Sequence, residues 1–372
     1  MTSSGNRTTG STTGTTGTTG TTGTTGTTGV TAGATGTTTI GNGITVGIGS
    51  LPHRDLDAGI RFALDATSIP TVPSLPKRSP AEGLIVQAML GIEGVTVGQY
   101  GAISVDVNRI EPLAPVTTDL QHDAYAAVAR FLELAAERHA VQPLDAVKWQ
   151  IVGPVTLGGA LLRAGVPVQD AYDVAVRAVR SHVQSLLDAV DVALPGVRQL
   201  VFIDEPDMVD LTDAHFPIAP DVAIDLVSGA LAAIESRGLS GLHVCGDADW
   251  PTLMATGPQI LSLPVGPSIV EAAGYLQQFL ARGGIVAWGA VPTDGPISTT
   301  AERPWRELTQ LWCELVERGC DHVLLRTQCI VTPECGLGVH SPSVAERVHR
   351  ITAEVSRRVH DQATATRFVL GA

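Results

Sequence analysis

The feature that most constrains this chain is a repeated alternation beginning near Ile40. Short apolar runs of strand length are separated by longer segments whose apolar residues recur every three or four positions. The runs are GITVGIGS (43–50), SIPTVPSLP (68–76), VKWQIVGP (147–154), QLVFIDEP (199–206), GLHVCG (241–246), QILSLPV (259–265), GIVAWGAVP (284–292) and HVLLRTQCIVTP (322–333). Between them, Pro304–Arg318 places Leu308, Leu311, Trp312 and Leu315 at helical spacing and stops at Gly319. Ser343–His360 carries Val344, Val348, Ile351, Val355 and Val359 on one stripe. Strands that alternate with helices build a mostly parallel sheet. Eight such strands predict an α/β fold of the (β/α)₈ TIM-barrel type. The 94–112 stretch predicts a small inserted β-hairpin. The second run is broken by Pro70, Pro73 and Pro76, residues that central strands avoid. An open doubly wound sheet is the alternative, but the chain has neither a G-x-G-x-x-G opening nor a P-loop.

Residues 1–38 are almost entirely Thr, Gly and Ser, with an unbroken Thr-Thr-Gly repeat from Thr12 to Gly29. Such a segment has no apolar surface to bury, so it is expected to be a disordered tail, with residues 39–372 as the barrel domain. A net charge of -13 argues against a nucleic-acid partner or an anionic membrane surface. There is no apolar run of membrane-spanning length and no apolar leader, which points to a cytoplasmic protein. The five cysteines, Cys245, Cys313, Cys320, Cys329 and Cys335, are then core residues, ligands or nucleophiles rather than disulfides.

In parallel α/β folds, sites form at the carboxyl ends of the strands. The polar residues of this chain fall there. Run one ends in Ser50, with His53 and Arg54 just beyond, and run four in Asp204-Glu205-Pro206. Run five ends in His243-Val-Cys245, and run eight leads into Glu334-Cys335-Gly336. Residues i and i+2 of a strand share a face, so His243 and Cys245 point the same way. With Cys335 they offer three ligands of the kind Zn²⁺ prefers in catalytic sites, which keep a position open. An ordinary buried histidine and two small buried thiols would explain the same residues.

Taken in order, the GSLP opening, IDEP, HVCGD and TPECGLG resemble the catalytic domain of cobalamin-independent methionine synthase. That domain belongs to a barrel superfamily with uroporphyrinogen decarboxylase and zinc-dependent corrinoid:thiol methyltransferases. The likeness spans roughly residues 43–360 and is strongest to short, single-barrel members. It implies Zn²⁺ held by His243, Cys245 and Cys335, with the ammonium of homocysteine on Asp204 and its carboxylate at Ser50. It implies an S-methyltransferase of methionine biosynthesis. The donor would be methyltetrahydrofolate or a methylated corrinoid protein, and homocysteine the acceptor thiol. Two positions depart from the family. Pro264 stands where the family has a zinc-binding glutamate, leaving Glu271 as the substitute ligand. Gln87 stands near a second glutamate that grips the substrate amino group. The alternatives are a metal-free decarboxylase, which needs more arginines near the first strand than Arg54 and Arg78, and a non-catalytic barrel that binds a small molecule or corrinoid protein.

Overall fold

A computed structural model describes residues 40–98 and 101–370, with side chains as far as 362. The expected Thr/Gly tail lies outside the described residues. In chain order the elements are β1 (Ile44–Thr45), α1 (Leu56–Asp65), α2 (Leu84–Met89), β2 (Val95–Val97), β3 (Ile103–Val105), α3 (Ala126–Val141), β4 (Ala146–Val152), α4 (Pro154–Arg163) and α5 (Val168–Ala193). They continue with β5 (Arg198–Asp204), α6 (Pro220–Glu235), β6 (Gly238–His243), α7 (Trp250–Ala255), β7 (Ile260–Pro264), α8 (Ser268–Glu271) and α9 (Ala273–Ala281). Last come β8 (Ile285–Val291), α10 (Glu302–Glu317), α11 (His322–Thr327), β9 (Cys329–Pro333) and α12 (Pro342–Leu370).

Seven strands form one curled, all-parallel sheet in the order β1-β9-β8-β7-β6-β5-β4. The predicted eighth strand at 68–76 is absent. Its prolines remove the N–H groups that a ladder needs, and what remains is two isolated bridges, Ser50 with Ser74 and Thr71 with Lys148. The segment still hydrogen-bonds on both sides: Ile69 N donates to Thr45 O, and Val72 N donates to Lys148 O. Closure by eight regular strands therefore gives way to a seven-stranded half-barrel beside an irregular proline-rich segment. The run expected at 322–333 divides in two. Asp321 accepts hydrogen bonds from Val323 N and Leu324 N, which starts α11, and only Cys329–Pro333 is extended. The inserted hairpin is present as the antiparallel pair β2–β3.

Two apolar layers follow from the two faces of the sheet. The convex face packs on the helices: Trp288 of β8, for example, meets Trp312 of α10 edge to face at 6.3 Å. The concave face packs on itself, through Val46, Ala146, Leu200, Phe202, Ile260, Ala287 and Ile330, with Ile69 of the irregular segment. Alternate residues of each strand serve the two layers. On β5, Leu200, Phe202 and Asp204 face inward. Glu205 reaches the opposite way and accepts from Val155 N and Thr156 N at the start of α4. Gly153 has to be a glycine for this, since a Cβ there would lie 2.1 Å from the Glu205 carboxylate.

Behind the strand ends, His349 of α12 packs edge-on against Phe62 of α1, with ring centroids 5.3 Å apart. Burial holds its pKa down, to about 4. The unfolded chain therefore takes up a proton below about pH 6.5 that the folded chain refuses. The neutral imidazole's contribution is complete above that pH and is lost as pH falls toward 4. Urea unfolding is expected to show that His349→Leu loses less stability between about pH 7.5 and pH 4 than the parent, by on the order of 3 kcal/mol. An equal loss in both proteins would refute this.

Candidate metal centre

Parallel register sets the site. Asp204 of β5 pairs with His243 of β6, and His243 pairs with Ser262 of β7, so the three lie side by side in one row. Main-chain bonds carry the row past the strand ends: Glu205 N donates to His243 O at 2.9 Å, and Val244 N donates to Ser262 O at 3.2 Å. Cys245 continues the face that His243 presents.

Cys335 arrives from the other end of the chain, in the loop after β9. That loop is fastened by Ser50. Leu337 N donates to Ser50 O at 2.8 Å, and Gly338 N donates to Ser50 Oγ at 3.2 Å. The fit is close: a Cβ on Gly336 would lie 2.2 Å from Ser50 Oγ. Lys77 also ties the loop down by donating to Val339 O at 2.9 Å.

The result is a group of three candidate ligands. The ligand atoms of His243, Cys245 and Cys335 all lie within 4.8 Å of one another. His243 is buried, its Nδ1 lies 2.9 Å from Ser262 Oγ, and its Nε2 has no hydrogen-bond partner. A fully buried ring nitrogen without a partner is costly. Here it lies beside two thiols, which is the donor set zinc takes. The residues therefore fit the metal. The thiols share a proton unequally. A hydrogen bond from Cys245, with the electrostatic influence of nearby His243, brings Cys335 down to about 4 against the cost of burial. That same hydrogen bond and burial push Cys245 up. The direction at Cys335 favours the thiolate, the form that binds metal.

Asp204 lies beside this group. It is buried, and its Oδ1 has no partner. Burial raises its pKa to about 6, while His243 and Lys148 pull it back toward the charged form. Lys148 was not singled out by sequence, although a lysine within VKWQIV, an otherwise apolar run, was the available signal. It sits on the concave face of β4, 2 % exposed, with Nζ 4.8 Å from the centre of the Phe202 ring. Its ammonium donates to Ile48 O and, at 2.7 Å, to Gln150 Oε1. Burial lowers its pKa to about 8, and Asp204 opposes that fall. Ser262, the partner of His243, was also missed. A serine in ILSLP has no sequence signal beyond lying two residues before Pro264.

Two predicted residues lie elsewhere. Glu271 is exposed on α8 and lines a surface pocket with Asp247, Asp249 and Trp250; it is not among the clustered ligands. Gln87 is buried on α2, where its side-chain amide N–H donates to Ala124 O at 2.7 Å and its main-chain carbonyl accepts from Tyr125 Oη at 3.0 Å. Pro264 ends β7 and has no donor atom in its side chain. Cys329 is fully buried in β9 and Cys313 is exposed on α10, both outside the cluster.

No family model matches the chain, and no curated protein does. Among solved structures, it is similar to a protein provisionally assigned as a vitamin-B12 independent methionine synthase from Listeria monocytogenes. The identity is 14%, the TM-score 0.47, and the match covers 72% of this chain and 76% of that one. It is also similar to an agarase, AgWH50C, at 9% identity and a TM-score of 0.31, over 68% of this chain and 41% of that one. These are distant likenesses of chain path.

The hydrogen bond between His243 Nδ1 and Ser262 Oγ fixes the ring, and when Nδ1–H is the donor it leaves the Nε2 lone pair free for a metal. Removing such a support costs metal sites about 10–100-fold in affinity. Ser262→Ala is expected to weaken zinc binding by about that factor, measured by competition with a chromophoric chelator, while thermal stability changes little. Unchanged affinity would show that Ser262 does not orient the ring.

Proposed function

We propose that this chain is a zinc-dependent methyltransferase that moves a methyl group to the sulfur of a small thiol. The observation that carries the reading is the convergence of His243, Cys245 and Cys335, with Nε2 of His243 buried and unpartnered. Asp204, immediately beside them, supports it.

His243, Cys245 and Cys335 would hold the metal, leaving a position for the acceptor. Zinc bound there would supply Lewis-acid activation, favouring the acceptor's thiolate at neutral pH. In the reaction, a bond forms between the acceptor sulfur and the methyl carbon while the bond from that carbon to the donor breaks. The thiol proton leaves for solvent or the departing donor. The chain's own residues do the positioning. Ser262 fixes the imidazole, Ser50 fixes the Cys335 loop, and the buried Asp204 offers an unpaired carboxylate oxygen beside the sulfur site. Holding the reactants in line is itself a large part of catalysis. Homocysteine is the acceptor that the sequence resemblance implies, with methyltetrahydrofolate or a methylated corrinoid as donor. The site's own chemistry supports the broader class, a small thiol.

The test is metal content followed by activity. Protein purified without chelators is expected to hold about one zinc per chain. Cys245→Ser and Cys335→Ser should each lose it, together with transfer of methyl groups from methyltetrahydrofolate or methylcobalamin to a panel of thiols. A parent protein that binds no zinc after reconstitution would end this reading.

A further inference from the structure

We propose that Lys148 and Gln150 are positioning residues for the metal centre, closing the seam between the two edges of the sheet and, through Ser50, holding Cys335 within reach of His243 and Cys245. This rests on the metal-centre reading and adds what keeps its third ligand in place.

The edge strands of the sheet are β1 and β4, and the proline-rich segment 68–76 lies between them. Its ladder with β4 is short. Lys148 N donates to Pro70 O at 2.9 Å and Val72 N to Lys148 O at 2.8 Å, and then Pro73 intervenes. The side facing β1 is irregular too: Ser74 N donates to Gly49 O at 3.3 Å, while Gly47 N donates to the side chain of Thr71 at 2.9 Å. Two carbonyls are left over, Ile48 O and Val72 O, and no main-chain N–H among the described residues reaches either. Carbonyls without a donor in a buried seam are costly. Side chains of β4 supply the donors. Lys148 and Gln150 stand two apart on the strand and share a face. The Lys148 ammonium donates to Ile48 O, and Gln150 Nε2 donates to Val72 O at 3.0 Å. The two side chains are joined as well, Lys148 Nζ donating to Gln150 Oε1 at 2.7 Å. The Phe202 ring, 4.8 Å from Nζ, is a further favourable neighbour for the cation. The buried lysine is thus a built part of the seam.

The residues held this way run directly into the site. Ile48 is followed by Gly49, which lies so close to Gln150 that a Cβ there would be 2.5 Å from its amide. Ser50 comes next and fastens the Cys335 loop through its carbonyl and its hydroxyl. Ile48, Gly49, Ser50, Cys335 and Gly336 line one small cavity, which places the held segment against the ligand loop. His243 and Cys245 do not depend on the seam. They are placed by the pairing of β5, β6 and β7 inside the sheet. Loosening the seam therefore releases one ligand of the three and leaves the other two where they are, which separates positioning from a general loss of stability.

The test loads the full chain with Co²⁺, whose thiolate charge-transfer absorption scales with the number of thiolates bound, and measures metal affinity by competition with a chelator. The parent is expected to show both thiolates on the metal. In Lys148→Met and in Gln150→Leu, the band is expected to fall by about half and the affinity by about 10–100-fold, as Cys335 leaves the metal. Leu308→Ala, which empties a fully buried position on α10 outside the seam, is the control for lost stability and should keep both thiolates. If one seam variant fails to fold, the other decides. Both thiolates retained at parent affinity in a folded seam variant overturn the proposal, as does the same loss of the band in Leu308→Ala. It is also overturned if neither seam variant unfolds cooperatively, since the pair then holds the fold and not a ligand. A parent without a thiolate band after reconstitution ends the metal-centre reading and this inference with it. A parent with the band, and seam variants that keep it, end this inference alone.

Discussion

The site depends on the register of three parallel strands. Because β5, β6 and β7 pair so that Asp204, His243 and Ser262 share one row, a carboxylate, an imidazole and its hydroxyl partner meet without any loop having to place them. A slip of one residue would turn each of these side chains to the opposite face. The apolar concave layer beneath makes that slip expensive, since it would also turn Leu200, Phe202 and Ile260 out of their packing. Packing energy in the middle of the sheet thus fixes geometry at its rim.

The same periodicity explains what the sequence made legible. His243 and Cys245 could be assigned to one face because strand residues alternate, and polar residues at strand ends marked the rim. The α/β class followed from the alternation of apolar runs with amphipathic segments. Cys335 was different. Nothing in its local spacing ties it to a residue ninety positions earlier; its place just after the last apolar run put it at the same rim, and the ordered resemblance of motifs named it as a ligand. It sits with them because Ser50 binds its loop through both main chain and side chain.

The parts that were not legible have physical causes. Apolar content at 68–76 suggested a strand, but three prolines leave too few N–H donors for a ladder, and the segment bonds irregularly to either side. Apolar content at 322–327 also suggested a strand, where Asp321 instead starts a helix turn. Composition cannot separate these outcomes, because burial favours the same residue types in both. Lys148 was passed over for a related reason: a lone lysine in an apolar run is read as an interruption, whereas here its stem packs inside the curl and its ammonium is bonded to Ile48 O and Gln150. Ser262 gave no local signal at all, since its meaning comes from the strand beside it.

The fastening of the Cys335 loop by Ser50 joins residues 288 positions apart, counted from Ser50 to Gly338. The third candidate ligand therefore reaches its partners only once the last strand has docked beside the first. During synthesis, His243 and Cys245 leave the ribosome long before Cys335, and the incomplete pair offers a metal only two ligands. Contacts so distant along the chain form late in folding, after the intervening loop has been closed at an entropic cost. Completion of the site is thus a report that the whole sheet has assembled, and a chain truncated anywhere before β9 would have the pocket wall without the clasp.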